Sequence, residues 1–483
     1  MSKRPTPDLV VRRGRVIDGT GAPAFVADVA VTGDRISAVG AIPATAGPEE
    51  IDADGKIVAP GFIDVHTHDD RLLLSAPEMA PKVSQGVTTV VVGNCGVSLA
   101  PLKLAAAPPP PLDLIGDESW YRFDSFAAYL AALDRAPAAV NAACLVGHST
   151  LRAGTMDRLD RPATAGEIAA MRARLQEALA AGAIGLSTGL SYAPAEAAPT
   201  EEIVALAELL KPAGAIHTTH MRDEGSKVLE SLDETFEIGR RAGVPVIVSH
   251  HKAAGQANFG RSVDSLAKIA RARRRQEVGL DAYPYAASST ILRADWIGGA
   301  EKVLVAWSKS EPAQAGRLLS DVARDWGLPE AAACARLHPA GAIYFSMDEA
   351  DVRRILAFPE TMIGSDGLPH DSHPHPRLWG TFPRILGHYC RDVGLFPLAE
   401  AVRRMTGLPA ARFRLAERGL IRPGFHADLT IFDPETVADA ATFEHPLRPA
   451  EGIQAVFVNG RPVWSSAGPT GQRPGRVLRR VVP

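Results

Sequence analysis

Only four cysteines occur in 483 residues, Cys95, Cys144, Cys334 and Cys390, far apart and with no CxxC pair. In a chain of this size that scarcity argues against a disulfide framework and leaves reduced thiols, one of which can serve as a metal ligand. Long apolar runs are missing as well. No stretch reaches the roughly 18 consecutive apolar residues of a membrane span, and the first residues, MSKRPTPDLV, run straight into polar residues and prolines. A cytoplasmic protein with no membrane partner is expected. An excess of one charge is also absent: 52 Lys+Arg against 55 Asp+Glu gives 52 − 55 = −3, and no Lys/Arg block stands out. That argues against nucleic acid as a partner. What remains, 46% hydrophobic and 22% charged residues, is a globular composition in a chain long enough for one large domain and a smaller one.

Both ends of the chain are β-rich. DLVVRRGRVIDG and ADVAVTGDRISAVG near the start alternate in short runs, with a hairpin signal at Thr32-Gly33-Asp34. HADLTIFDP and IQAVFVNGRPVW repeat the texture near the end, where Asn459-Gly460 is the stronger turn signal. Between them VAPGFIDVHTH, GVTTVVVGNCG, NAACLVGHS, GAIGLSTG, AIHTTHMRDE, VPVIVSHHK, VGLDAYPY and TMIGSDG read as strands separated by amphipathic helices. One helix is marked by the capping-box spacing of Thr164 and Glu167, with Ile168, Met171, Leu175 and Leu179 on one face and Gly182 beyond its end. Others begin near Thr200, Ser226 and Asp264.

Eight strands joined by helices predict an α/β fold, a TIM-type (β/α)8 barrel. The expected domains are a small β-sandwich built from residues 1–60 and 416–483, and a catalytic barrel over 61–415. Pro101 to Phe123, with Pro108 to Pro111 in a row, reads as a long loop. An insertion at about 286–340 separates the last two strands and is expected to act as a lid.

Active sites of such barrels form at the carboxyl ends of the strands. There the chain places His66 and His68, two apart and so on one side of a strand, then Cys95, His220, His250 and Asp366. A thiolate with two neutral imidazoles suits zinc and leaves a position open for water. Asp366, in GSDG, has small neighbours and can take a proton from activated water and pass it to a leaving group. His251 must point away from His250 and is read as packing or as a support for the site. His148 and His217 are read as structural, and Cys144 as core.

FIDVHTHDD, VVGNCG, THMRDE, SHHK, DAYPY and SDGLPHDSHPHPRLWGTFPR together resemble the D-aminoacylase branch of the amidohydrolase superfamily, the N-acyl-D-amino-acid deacylases. The likeness extends over nearly the whole chain. It implies that Cys95, His220 and His250 hold a tight Zn2+, that His66 and His68 belong to a second, weaker position that Cys95 can bridge, and that Asp366 is the acid/base. Many other amidohydrolases bridge their metals with a carboxylated lysine. Here the fourth strand ends in Leu186-Ser187-Thr188, with no lysine, which speaks against a hydantoinase-like cyclic amidohydrolase.

The implied reaction is zinc-dependent hydrolysis of N-acyl-D-amino acids, small-molecule substrates, to a carboxylate and a free D-amino acid. Retention of all these site residues speaks against a catalytically silent scaffold. By the same resemblance Lys252, Tyr283, Arg377 and Ser289 bind the substrate's α-carboxylate, for which a planar guanidinium and a phenol are apt partners. In STILRADWIGG at the start of the insertion, Ile291, Leu292 and Trp296 offer apolar surface and Arg293 is the only cation. Trp296 turned inward predicts a preference for hydrophobic D-residues; Arg293 turned inward predicts an N-acyl-D-glutamate or N-acyl-D-aspartate deacylase.

Overall fold

Runs such as Val87–Val92 (VTTVVV) and Val246–Val248 are β-branched and buried at every position. Strands apolar on both sides belong in a parallel sheet covered by helices. In the computed structural model, which describes residues 6–43 and 49–480, eight of them form one parallel sheet. They are Phe62–Asp64, Val87–Val92, Asn141–Gly147, Gly185–Gly189, Ile216–His220, Val246–Val248, Val278–Ala282 and Thr361–Ile363, hydrogen-bonded in chain order. A parallel bridge between Thr67 and Gly367 joins the last strand to the first, so the barrel closes. Each strand coincides with one of the eight runs expected from the sequence.

The helices expected from periodicity occupy Ala165–Ala181, Thr200–Ala207, Val228–Ala242 and Ser262–Ala272. The first carries the complete capping box of Thr164 and Glu167 and stops at Gly182, φ 113°. Ile63, Val65, Val91, Leu145, Ile216 and Met362 fill the lower barrel interior, where Leu408, Phe413 and Leu415 pack beneath them. That leaves the carboxyl ends of the strands as the open face.

The two chain ends meet in a single nine-stranded sheet. Ile57–Pro60, from the first end, pairs antiparallel with Leu429–Phe432 from the second. Leu9, Val11, Val29, Val31, Ala427, Leu429 and Phe457 form a core of their own there. Asn459 and Gly460 turn the hairpin between Ile453–Val458 and Arg461–Ser465 with φ of 48° and 76°, the positive values a two-residue hairpin requires.

The insertion after the seventh strand is a folded unit. Its strands Ser288–Ile291, Val303–Ser308 and Ala340–Tyr344 form an antiparallel sheet with the last in the centre, so the unit runs to Tyr344, beyond the boundary expected at 340. The proline-rich segment is a loop, as expected, but a pinned one: Leu102–Lys103 pairs with Arg122–Phe123, and Leu112, Ile115 and Tyr121 are fully buried.

Candidate active site

The residues that close the strands are held in unusual backbone conformations. Cys95 (φ 53°), His250 (φ 36°) and Asp366 (φ 50°) all lie in the left-handed region. Such strain persists only where the surroundings impose it, and it concentrates at functional sites. In GNCG the cause is visible. A Cβ on Gly93 would meet the Leu145 carbonyl oxygen at 2.2 Å, so the chain runs hard against the third strand before turning. Asn94 fixes the turn by donating its side-chain N–H to the Val91 carbonyl at 2.9 Å. Ser187, on the fourth strand, accepts the Gly96 N–H at 3.0 Å and donates to the Gly93 carbonyl.

This turn delivers the Cys95 thiol to the barrel axis. Its Sγ lies 3.2 Å from His66 Nε2 and 3.3 Å from His250 Nε2. Asp366 Oδ1 is 3.1 Å from His68 Nε2 and 3.4 Å from His66 Nε2. One ligand atom each from His66, Cys95, His250 and Asp366 falls within 4.8 Å of the others. His220, His250 and Glu224 form an overlapping group of the same kind. His66 and His68 reach the site from just beyond their strand, which ends at Asp64, rather than from within it.

Burial by itself would raise the Cys95 thiol, but the facing imidazoles of His66 and His250 hold it well below its ordinary range. Burial likewise opposes ionisation of Asp366, and Arg377, His250 and His66 overcome it, keeping the carboxylate charged. A buried thiolate, converging imidazoles and an ionised carboxylate form a donor set that suits a borderline-soft cation such as zinc. Nδ1 of His68 and of His220 is buried with no hydrogen-bond partner.

A narrow cavity opens above these atoms, lined in part by Cys95, His220, Lys252, Tyr283, Ser289, Trp296 and Asp366. Arg377 places Nη1 2.9 Å from Asp366 Oδ2, donates Nη2 to the Ser289 carbonyl at 3.0 Å, and stacks 4.5 Å above the Tyr283 ring. The hydroxyls of Tyr283 and Ser289 are buried without partners. Trp296 forms part of the cavity wall. Arg293 does not: Nε and Nη2 bind Asp295 at 3.1 and 2.7 Å, and Nη1 binds the Ser191 carbonyl at 3.2 Å.

The sequence pattern of the amidohydrolase family matches residues 49–283 and 329–464, most of the chain. This chain belongs to the amidohydrolase family. Within it the chain falls in the D-aminoacylase branch: a D-aminoacylase from Alcaligenes xylosoxydans xylosoxydans is 58% identical over 474 residues, 98% of each chain. A solved D-aminoacylase structure superimposes with a TM-score of 0.97 at 57% identity, covering 98% of this chain and 100% of that one. A second solved structure, an N-acyl-D-glutamate deacylase from Bordetella bronchiseptica complexed with zinc and a phosphonate inhibitor, gives 0.95 at 47% identity with the same coverage. The family match skips residues 284–328, the first part of the insertion that walls this amidohydrolase's cavity.

Sequence reasoning did not single out Glu224. It accepts from Lys252 Nζ at 2.7 and 2.8 Å and lies 3.0 Å from His250 Nδ1 and 3.6 Å from His220 Nε2. Lys252 is therefore a paired cation in this amidohydrolase, not a free one. Asp281 was also missed. It accepts the His250 N–H at 2.9 Å and sits 3.3 Å from His66 Nδ1, orienting two site residues at once. Their signal was faint: Glu224 follows His220 by four residues in THMRDE, and Asp281 precedes the tyrosines of DAYPY. His251 bonds Ser265 Oγ at 2.8 Å, His148 meets Glu202 at 2.9 Å and His217 meets Thr188 at 3.1 Å. All three stay outside the convergent group, and Cys144 is buried in the core.

Proposed function

We propose that this amidohydrolase is a zinc-dependent N-acyl-D-amino-acid deacylase that prefers hydrophobic D-residues. The observation that carries the reading is the convergence of Cys95, His66, His250 and Asp366 beneath a cavity lined by Lys252, with Arg377 buried behind Asp366. Cys95, His220 and His250 hold the tight Zn2+, and His66 and His68, with Cys95, offer a second, weaker position. When bound, zinc supplies a Lewis acid for the amide carbonyl and lowers the pKa of water at the site. Cys95, at the end of the second strand, takes over the bridging role that a modified lysine of the fourth strand has in cyclic-amide hydrolases, which supports a linear amide as the substrate.

Asp366 moves the proton. Its Oδ1 faces the histidines and takes a proton from the attacking water, then delivers it to the departing nitrogen, while Oδ2 stays fixed by Arg377. The substrate's α-carboxylate binds Arg377 together with Lys252 and the free hydroxyls of Tyr283 and Ser289. Four unpaired cysteines support a cytoplasmic setting. Among the described residues, no helix is long and apolar enough to cross a membrane.

Side-chain preference follows from the wall. Trp296 stands in the cavity with Val97, Leu114 and Leu368, while Arg293, paired with Asp295, lines an adjoining pocket that shares Trp296, His220 and Lys252. An acidic side chain there would be buried without a cation of its own, which is costly. Comparing kcat/KM for N-acetyl-D-leucine, N-acetyl-D-methionine and N-acetyl-D-glutamate tests this. The apolar substrates should lead by at least about tenfold; a preference for glutamate that disappears in Arg293→Ala would reverse the assignment.

A further inference from the structure

The barrel is thinly closed between its last and first strands. The fourth and fifth strands share five paired positions, whereas the seam between the eighth and first has the lone Thr67–Gly367 bridge and a bond from the Asp366 N–H to the His66 carbonyl at 2.7 Å. Asp366, His66 and His68 all lie at this seam. A fully buried lysine lies there too.

Lys82 sits on a four-residue helix, Ala80–Val83, entered through Met79, which is buried in the left-handed region at φ 51°. Its Nζ donates to Asp64 Oδ2 at 2.8 Å and to Ser365 Oγ at 2.8 Å, and lies 3.3 Å from Asp69 Oδ2. Two of the ammonium protons thus have hydrogen-bond partners, and Asp69 stands by as a second counter-charge. Asp64 Oδ1 accepts the Ser365 N–H at 2.8 Å and the His66 N–H at 3.3 Å. Ser365 Oγ accepts the Gly367 N–H at 3.2 Å. One ammonium group therefore ties the end of the first strand to both neighbours of Asp366. The same segment also braces Arg377's helix, since Gln85 donates to the Leu378 carbonyl at 2.8 Å and accepts the Phe382 N–H at 3.2 Å.

We propose that Lys82 is a positioning residue for the reaction: with Ser365 and Asp64 it bolts the first and eighth barrel strands together, fixing Asp366 relative to His66 and His68. A buried ion pair is seldom more stabilising than a well-packed apolar side chain, so closure of the barrel alone gives no reason for a lysine here. Placement does, because proton transfer is sensitive to displacements of about 1 Å. This rests on the functional reading above, in which Asp366 carries the proton.

The test is steady-state kinetics on the zinc-loaded full chain with N-acetyl-D-methionine, alongside zinc content and thermal melting, for Ser365→Ala, Lys82→Met, the double variant and Asp366→Ala. Ser365→Ala removes one arm of the bolt and leaves the Lys82–Asp64 pair intact. It should lower kcat about tenfold with KM within about twofold and zinc retained. Lys82→Met should lose at least as much, and the double variant no more than Lys82→Met alone, because both act through one linkage. Should Lys82→Met fail to fold, Ser365→Ala decides. Undiminished kcat in Ser365→Ala, with or without a lower Tm, overturns the proposal and leaves Lys82 a structural ion. No turnover by the unaltered protein, or full kcat in Asp366→Ala, overturns the functional reading and this proposal together.

Discussion

Cys95 has no substitute within reach, because the thiolate is the one soft ligand that the GNCG turn brings to the cluster. Cys95→Ala is therefore expected to lose zinc and activity together, as measured by metal content after dialysis and by turnover. His66→Ala and His68→Ala should keep about one zinc per chain while turnover falls, since those imidazoles flank Asp366. Asp366→Ala should keep the metal and the fold and lose about 10² to 10⁴ in kcat, the usual cost of removing a positioned acid/base. A loss confined to KM would make Asp366 a binding group. At this scale the sequence was legible wherever a residue's chemistry shows in its type. Histidine, cysteine and aspartate at strand ends declare themselves. Glu224 does not, because its part depends on a loop that returns it to His220, His250 and Lys252, and nothing in the local pattern records that path.

Elements that carry no site residue also make testable contributions. Thr164 caps the helix Ala165–Ala181 by accepting the Glu167 N–H, and Glu167 reciprocates at the Thr164 N–H at 2.7 Å. Thr164→Ala should cost about 1 kcal/mol in a denaturant titration with kcat unchanged. On the helix Thr200–Ala207, Glu202 is buried against His148 at 2.9 Å and Arg152 at 2.5 Å. Burial opposes its charge, but His148 and Arg152 prevail and bring its pKa down to about 2. A carboxylate depressed on folding stabilises fully above its ordinary value, and that stability is lost as pH falls towards about 2. Glu202→Gln should lower Tm at neutral pH and flatten the dependence of Tm on pH across this acid window. A variant with the unaltered pH dependence would show that the buried triad contributes nothing. Helices and strands were readable from periodicity and caps, whereas the insertion's boundary was not. Ala340–Tyr344 reads like any short apolar strand, and only its pairing with Ser288–Ile291 and Val303–Ser308 assigns it to the insertion.

In the molecule as a whole, the last residues belong to the barrel floor as well as to the β-domain. Ala142 donates its N–H to the Arg476 carbonyl at 2.9 Å, Leu478 donates to the Ala142 carbonyl at 2.8 Å, and Leu478 packs against the core that includes Phe413 and Leu415. Deleting residues 475–483 should lower Tm by several degrees and leave kcat near that of the full chain, because the active site lies at the opposite face. Both β-rich ends, and their union in one small β-domain, were expected from the sequence; which strands pair was not, since pairing across more than 300 residues leaves no local trace. Zinc-dependent cleavage of N-acyl-D-amino acids at the barrel's open face is decided by a single comparison. It is kcat/KM for N-acetyl-D-methionine and its L enantiomer on the same purified protein, before chelation, after chelation and after zinc return. Turnover of the D enantiomer is expected at least about 10²-fold above the L, abolished by chelation and restored by zinc. Equal rates on both enantiomers, or full activity in the metal-stripped protein, would contradict it.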